Sequence, residues 1–167
     1  MFANNGKGRF VFFDWQAVRK GRAVYDLAYF LILSLSNEHR QKAEQQCLQQ
    51  YYRFLLQGGV TDYSFQQLEN DYKHATLCLL ALLSLPLLSG EASADGDGIK
   101  IFAWGMNVWR KRLLAKFNNF DYGWMSANYQ LSEADGRKAV TEMLDTIHKR
   151  LLKLSGETDL EALSTVY

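Results

Sequence analysis

The chain has 167 residues, 48% of them hydrophobic, and a formal net charge of +1. Length and apolar content suit one domain with a core of its own and exclude a disordered polymer, while the near-neutral charge gives no electrostatic case for nucleic acid or an anionic membrane as principal partner. The only cysteines, Cys47 and Cys78, are too few for a disulfide framework and stand at no metal-ligand spacing, which suits a reducing cytoplasm.

In chain order, residues 1–3 and 10–15 flank Asn4, Asn5, Gly6, Lys7 and Gly8, turn chemistry that predicts a bulged β hairpin over residues 1–15. The second strand, Phe10-Val11-Phe12-Phe13, reads as buried on both faces and ends on Asp14. A carboxylate placed there is costly unless it is paired, hydrogen-bonded or bound to a cation. Aspartate at a strand end is also a common turn-former, so the residue alone leaves both readings open. Trp15, Gln16 and a basic turn (Arg19, Lys20, Gly21, Arg22) follow. Asp26 then stands directly before an apolar run and reads as the N-cap of a buried helix ending near Leu35.

Ser36 and Asn37 can cap a second helix that carries Ala43, Cys47, Tyr51, Phe54 and Leu55 on one face, and Gly58 with Gly59 stops it. Ser64 and Gln67 form a capping box for a third, whose inward face begins with Phe65, Leu68, Tyr72 and Ala75. Its first half faces water through Glu69, Asn70 and Lys73. From Leu77 it is apolar all round, which predicts enclosure by other helices up to Pro86. Residues 89–98, rich in glycine, read as a flexible loop.

A fourth helix over residues 99–118 carries Phe102, Met106, Trp109, Leu113 and Phe117 at alternating four and three spacing. Phe120, Asp121, Tyr122, Gly123 and Trp124 read as an aromatic loop. The last helix, capped by Ser132 and closed by Gly156, shows a stripe of Val140, Leu144, Ile147, Leu151 and Leu154. Gly136 weakens its first turns, and the tail beyond residue 155 is expected to fray. The fold class is therefore mainly α (α+β): an N-terminal hairpin and a five-helix bundle. The apolar runs at 27–35 and 75–88 fall short of the roughly 20 residues needed to span a bilayer, and the first ten residues carry no secretory apolar segment. The expectation is a cytoplasmic protein with no membrane and no nucleic-acid partner.

The run Phe12-Phe13-Asp14-Trp15-Gln16, then Gly21, then Tyr25-Asp26-Leu27-Ala28-Tyr29-Phe30-Leu31 resembles the aminoglycoside/choline-kinase-like phosphotransferases, and most closely their ecdysteroid-kinase-like (CHK kinase-like) branch. The resemblance implies that Asp14 binds the magnesium of Mg-ATP and that Asp26 starts a buried helix and braces the catalytic loop. Many relatives have glutamate at the position of Gln16, which would support the metal through its waters. The family's His-Gly-Asp loop and its nucleotide-binding lobe would precede Met1. The chain is thus expected to be a partial kinase-like C-lobe in one domain over 1–167, with the missing N-terminal lobe in cis in an intact homologue. Within it, residues 1–15 bear the metal-site aspartate, 26–88 the core helices, 99–154 a substrate-side subdomain and 155–167 the tail.

The resemblance further implies Mg²⁺ and ATP as cofactors and a small-molecule hydroxyl as acceptor, in a pocket drawn from Trp109, Phe120, Tyr122 and Trp124. Core packing explains at least half of the aromatic residues in that region. Arg110, Lys111 and Arg112 could meet phosphate or an acidic partner, though a solvated helix face accounts for them as well. His39, His74 and His148 have no partner at ligand spacing and are poor catalytic candidates. The resemblance implies that the general base lies upstream of Met1, so the isolated chain is expected to be inactive. The alternatives are a non-catalytic helical module that binds a ligand or protein, and a fragment without function of its own.

Overall fold

The computed structural model describes residues 20–88 and 97–161. These are mainly helical: α1 (Val24–Tyr29) runs into a π-helical turn (Phe30–Ser34), followed by α2 (Asn37–Gln57), α3 (Phe65–Leu88), α4 (Asp97–Phe117), α5 (Tyr122–Tyr129) and α6 (Glu133–Ser155). The expected hairpin over residues 1–15 lies outside the described residues, as does most of the expected loop, residues 89–96.

α1 starts earlier than the sequence suggests. Val24 is 2% exposed, and burying it draws the chain into helix ahead of the aspartate. Ala23 flanks the helix and supplies no side-chain cap, so Asp26 is not the N-cap. It stands exposed in the first turn, where its charge meets the positive end of the helix dipole. Leu31, Ile32 and Leu33 of the π turn are buried in succession, which one flanking helix could not achieve. The turn packs on both α2 and α4, and Arg112 of α4 donates to the Leu33 carbonyl, one of the acceptors that a helix end leaves unpaired.

The caps of α2, α3 and α6 follow their sequence signals. Ser36 accepts from the His39 amide, and Ser132 from that of Asp135. Ser64 and Gln67 bond reciprocally, at 2.7 Å and 3.2 Å. Gly59 and Gly156 take φ of 86° and 71°, a backbone region that glycine enters without penalty.

The faces differ more than the caps. On α2 the expected Cys47 and Tyr51 pack half-buried against the core, Arg40 and Leu48 are the buried residues beside them, and Phe54 projects into solvent at 59% exposure. α3 continues two residues past Pro86, and its second half is not fully enclosed, since Cys78, Ala81 and Leu82 are exposed along one side. The aromatic segment after α4 is a helix rather than a loop, because the Asp121 carboxylate caps the Trp124 amide at 2.9 Å. Gly136 is buried where α5 crosses α6; a Cβ there would meet the Met125 sulfur at 3.1 Å.

Buried residues of every element join one core. Leu31, Ile32, Leu68, Leu79, Leu113 and Ile147 lie at its centre. The chain after α6 is held too: Leu160 is 1% exposed, and Glu157 and Glu161 pair with Lys100 and Lys111 of α4. The expected fraying is therefore not found over residues 156–161, and residues 162–167 lie outside the described residues.

Candidate functional site

Arg22 lies just before α1, and its guanidinium pairs with the Asp71 carboxylate on α3. The Tyr63 hydroxyl donates to the second oxygen of Asp71 at 2.5 Å. Asp71 is 7% exposed, so a charge that would be costly alone has a partner for each oxygen. The arrangement fastens the turn before α1 onto α3. Beside it opens a cavity of about 310 Å³ lined by Arg22, Tyr51, Leu55, Val60, Asp62 and Tyr63. Burial, and then the charge of nearby Asp26, raise the pKa of the Tyr51 hydroxyl, which therefore stays protonated.

Asp14 and Gln16, the expected metal and support residues, lie outside the described residues. Of the four aromatic residues assigned to an acceptor pocket, three come together. Phe120 meets Tyr122 and Trp124 edge-on, at centroid distances of 5.6 Å and 6.1 Å. Trp124 in turn contacts His74 and Tyr129. Phe120 and Tyr122 are buried in the core, and Trp109 packs instead against Tyr29 on α1. Neither of the two described cavities is lined by these four residues.

The basic residues of α4 are partly solvated, as a surface face would be, but each also has a partner. Arg110 bonds Asn107, Lys111 pairs with Glu161, Arg112 holds the Leu33 carbonyl and Lys116 pairs with Glu44. Each of the four cations has a partner, although Lys111, with a side chain 46% exposed, is still in contact with solvent. The last of these pairs is the most enclosed. Glu44 also accepts from Arg40 at 2.5 Å, and Arg40 donates to Asn37 at 2.5 Å. Lys116 sits 5.0 Å from the Tyr72 ring centre, and burial lowers its pKa against the opposing pull of Glu44.

Asp71, Arg40 and Glu44 were not singled out by sequence reasoning. For Asp71 a signal exists: it falls between Leu68 and Tyr72 on the inward stripe of α3, where a carboxylate must find partners. For Glu44 and Lys116, on helices far apart in sequence, there is none. His74 is not isolated, since its Nδ1 lies 2.6 Å from the Tyr129 hydroxyl. Among the described residues no group of three or more His, Cys, Asp or Glu is placed to hold a metal, and no helix is long and apolar enough to cross a membrane.

A family model described as "Uncharacterized oxidoreductase dhs-27" (DUF1679) matches residues 1–98. The chain belongs to this family. The DUF1679 match takes in the Asp14 segment, α1 to α3 and the first residues of α4. No curated protein and no solved structure matches the chain.

Proposed function

We propose that this DUF1679 chain is the carboxy-terminal portion of an ATP-dependent kinase that phosphorylates a hydroxyl on a small molecule, with Asp14 as the magnesium ligand and Asp26 organising the catalytic loop. The observation that carries the reading is the run from Phe12 to Gln16 followed by Tyr25 to Leu31, which lies wholly inside the family match. The chemistry is compatible with a single carboxylate. Mg²⁺ keeps several waters and is commonly bound by one or two carboxylates together with the phosphates it neutralises. Arg22, a cation eight residues further along the sequence that a structural aspartate could have used, is engaged by Asp71. The helical architecture also agrees with a kinase C-lobe, although many unrelated functions share such folds.

The family description favours a second reading, an oxidoreductase. A dinucleotide site of the common kind needs Gly-x-Gly-x-x-Gly at a strand-to-helix turn, so that the backbone can approach the pyrophosphate. The 167 residues contain no such spacing. Calorimetric titration separates the two. Mg-ATP should bind the wild-type chain through its metal at Asp14 alone, without the nucleotide-binding lobe expected upstream, and bind Asp14→Asn at least tenfold more weakly; equal affinities, or binding of NADH in place of Mg-ATP, would overturn the kinase reading.

A further inference from the structure

We propose that the cleft between the first turns of α2 and the end of α4 is a binding site for a phosphate-type oxyanion, either free or as a phosphomonoester. The cleft measures about 250 Å³ and is lined by Arg40, Gln41, Glu44, Gln45, Lys116 and Asn119. None of these belongs to the segment from residue 9 to residue 35, so the site stands apart from the assignment of Asp14.

The charge count carries the argument. Arg40 and Lys116 have side chains only 6% and 13% exposed, and they share one carboxylate, Glu44. An ordinary staple between two helices needs one cation and one carboxylate. Here a second cation is enclosed without an acid of its own. Arg40 and Lys73 oppose the charge on Lys116, Glu44 is the carboxylate that favours it together with the Tyr72 ring face, and Lys73 itself is paired with Asp121.

The donors are also in surplus. A guanidinium has five N–H bonds and an ammonium three. Among the described residues, Arg40 spends two on Glu44 and Asn37, and Lys116 spends one on Glu44. The remaining lining side chains, Gln41, Gln45 and Asn119, are exposed amides that can donate to an anion without adding charge. A tetrahedral oxyanion offers acceptors in several directions, which suits donors converging from two helices. A planar carboxylate would be satisfied by the arginine fork alone.

The test is calorimetric titration of the whole chain with inorganic phosphate and with glycerol 3-phosphate, each against sodium chloride at equal ionic strength. Gln45→Glu and Gln41→Glu serve as variants, since both positions are exposed and each substitution adds a repelling charge at the rim while sparing Arg40, Glu44 and Lys116. Saturable binding of either probe to wild type, weakened at least tenfold in both variants, is expected. Tighter binding of the monoester would assign a phosphorylated metabolite, and tighter binding of phosphate the free ion. No saturable binding, or equal affinity in wild type and variants, would overturn the site.

Discussion

Glu44 faces two enclosed cations, so its removal should cost more than the loss of a single contact. Glu44→Gln leaves Arg40 and Lys116 side by side without a counter-charge, and breaking a buried pair in this way typically costs about 3 to 5 kcal/mol. The exposed pair Lys42–Glu38 on the same helix is the control, since pairs of that kind contribute roughly 0 to 1 kcal/mol. Denaturant unfolding of Glu44→Gln and Glu38→Gln should separate the two by that margin; similar losses would show that the cluster is open to solvent. Asp121 gives a pH-dependent case. Its hydrogen bond from Lys73, and then that from the Trp124 amide, hold its carboxyl below the ordinary range. A depressed folded-state pKa contributes stability that is present above the unfolded value, near pH 4, and lost as pH falls through the folded one. Asp121→Asn keeps the cap and removes the charge. Because the pair is half exposed, the variant should lose only about 0.2 to 1 kcal/mol at pH 7, and the gap should close as pH falls below about 4. A gap that persists at pH 2 would assign the effect to the cap instead.

Between elements, Gly136 fixes how closely α5 can lie on α6. Alanine would gain up to about 1 kcal/mol of helix propensity, but its Cβ would press on the Met125 sulfur, a flexible neighbour that can give a little. Gly136→Ala should therefore be nearly neutral in a thermal melt. Gly136→Val has no room to enter and should cost roughly 1 to 3 kcal/mol; a neutral valine variant would show that α5 is not packed there. What was legible at this scale was local. Ser36, Ser64 and Ser132 announce helix starts because capping involves residues three apart, and the stripes of α4 and α6 follow from helical period. α5 was missed because a single aspartate cap among aromatic residues gives too short a pattern to mark a helix, and the start of α1 was misplaced because Val24, not Asp26, is what the core demands.

For the molecule as a whole, the core joins α1 and the π turn to the helices from α2 to α6, and the Arg22–Asp71–Tyr63 contact anchors the chain just after the segment that bears Asp14. The long-range charge pairs that complete this frame, Lys116 with Glu44 and Lys111 with Glu161, had no signature in the sequence, since nothing local says which helices will meet. The proposed site could be argued from sequence only through its pattern of residues. It therefore needs a thermodynamic test. A carboxylate held ready for a metal gains nothing from its charge until the metal arrives, whereas one already bonded or ion-paired stabilises the folded chain. The direct measurement is the unfolding free energy of the wild type and Asp14→Asn, in metal-free buffer and again with Mg²⁺. The kinase account predicts that the substitution leaves metal-free stability unchanged or slightly raised, and that Mg²⁺ stabilises the wild type but not the variant. A metal-free loss of about 3 kcal/mol or more in Asp14→Asn, with no response of the wild type to Mg²⁺, would contradict it.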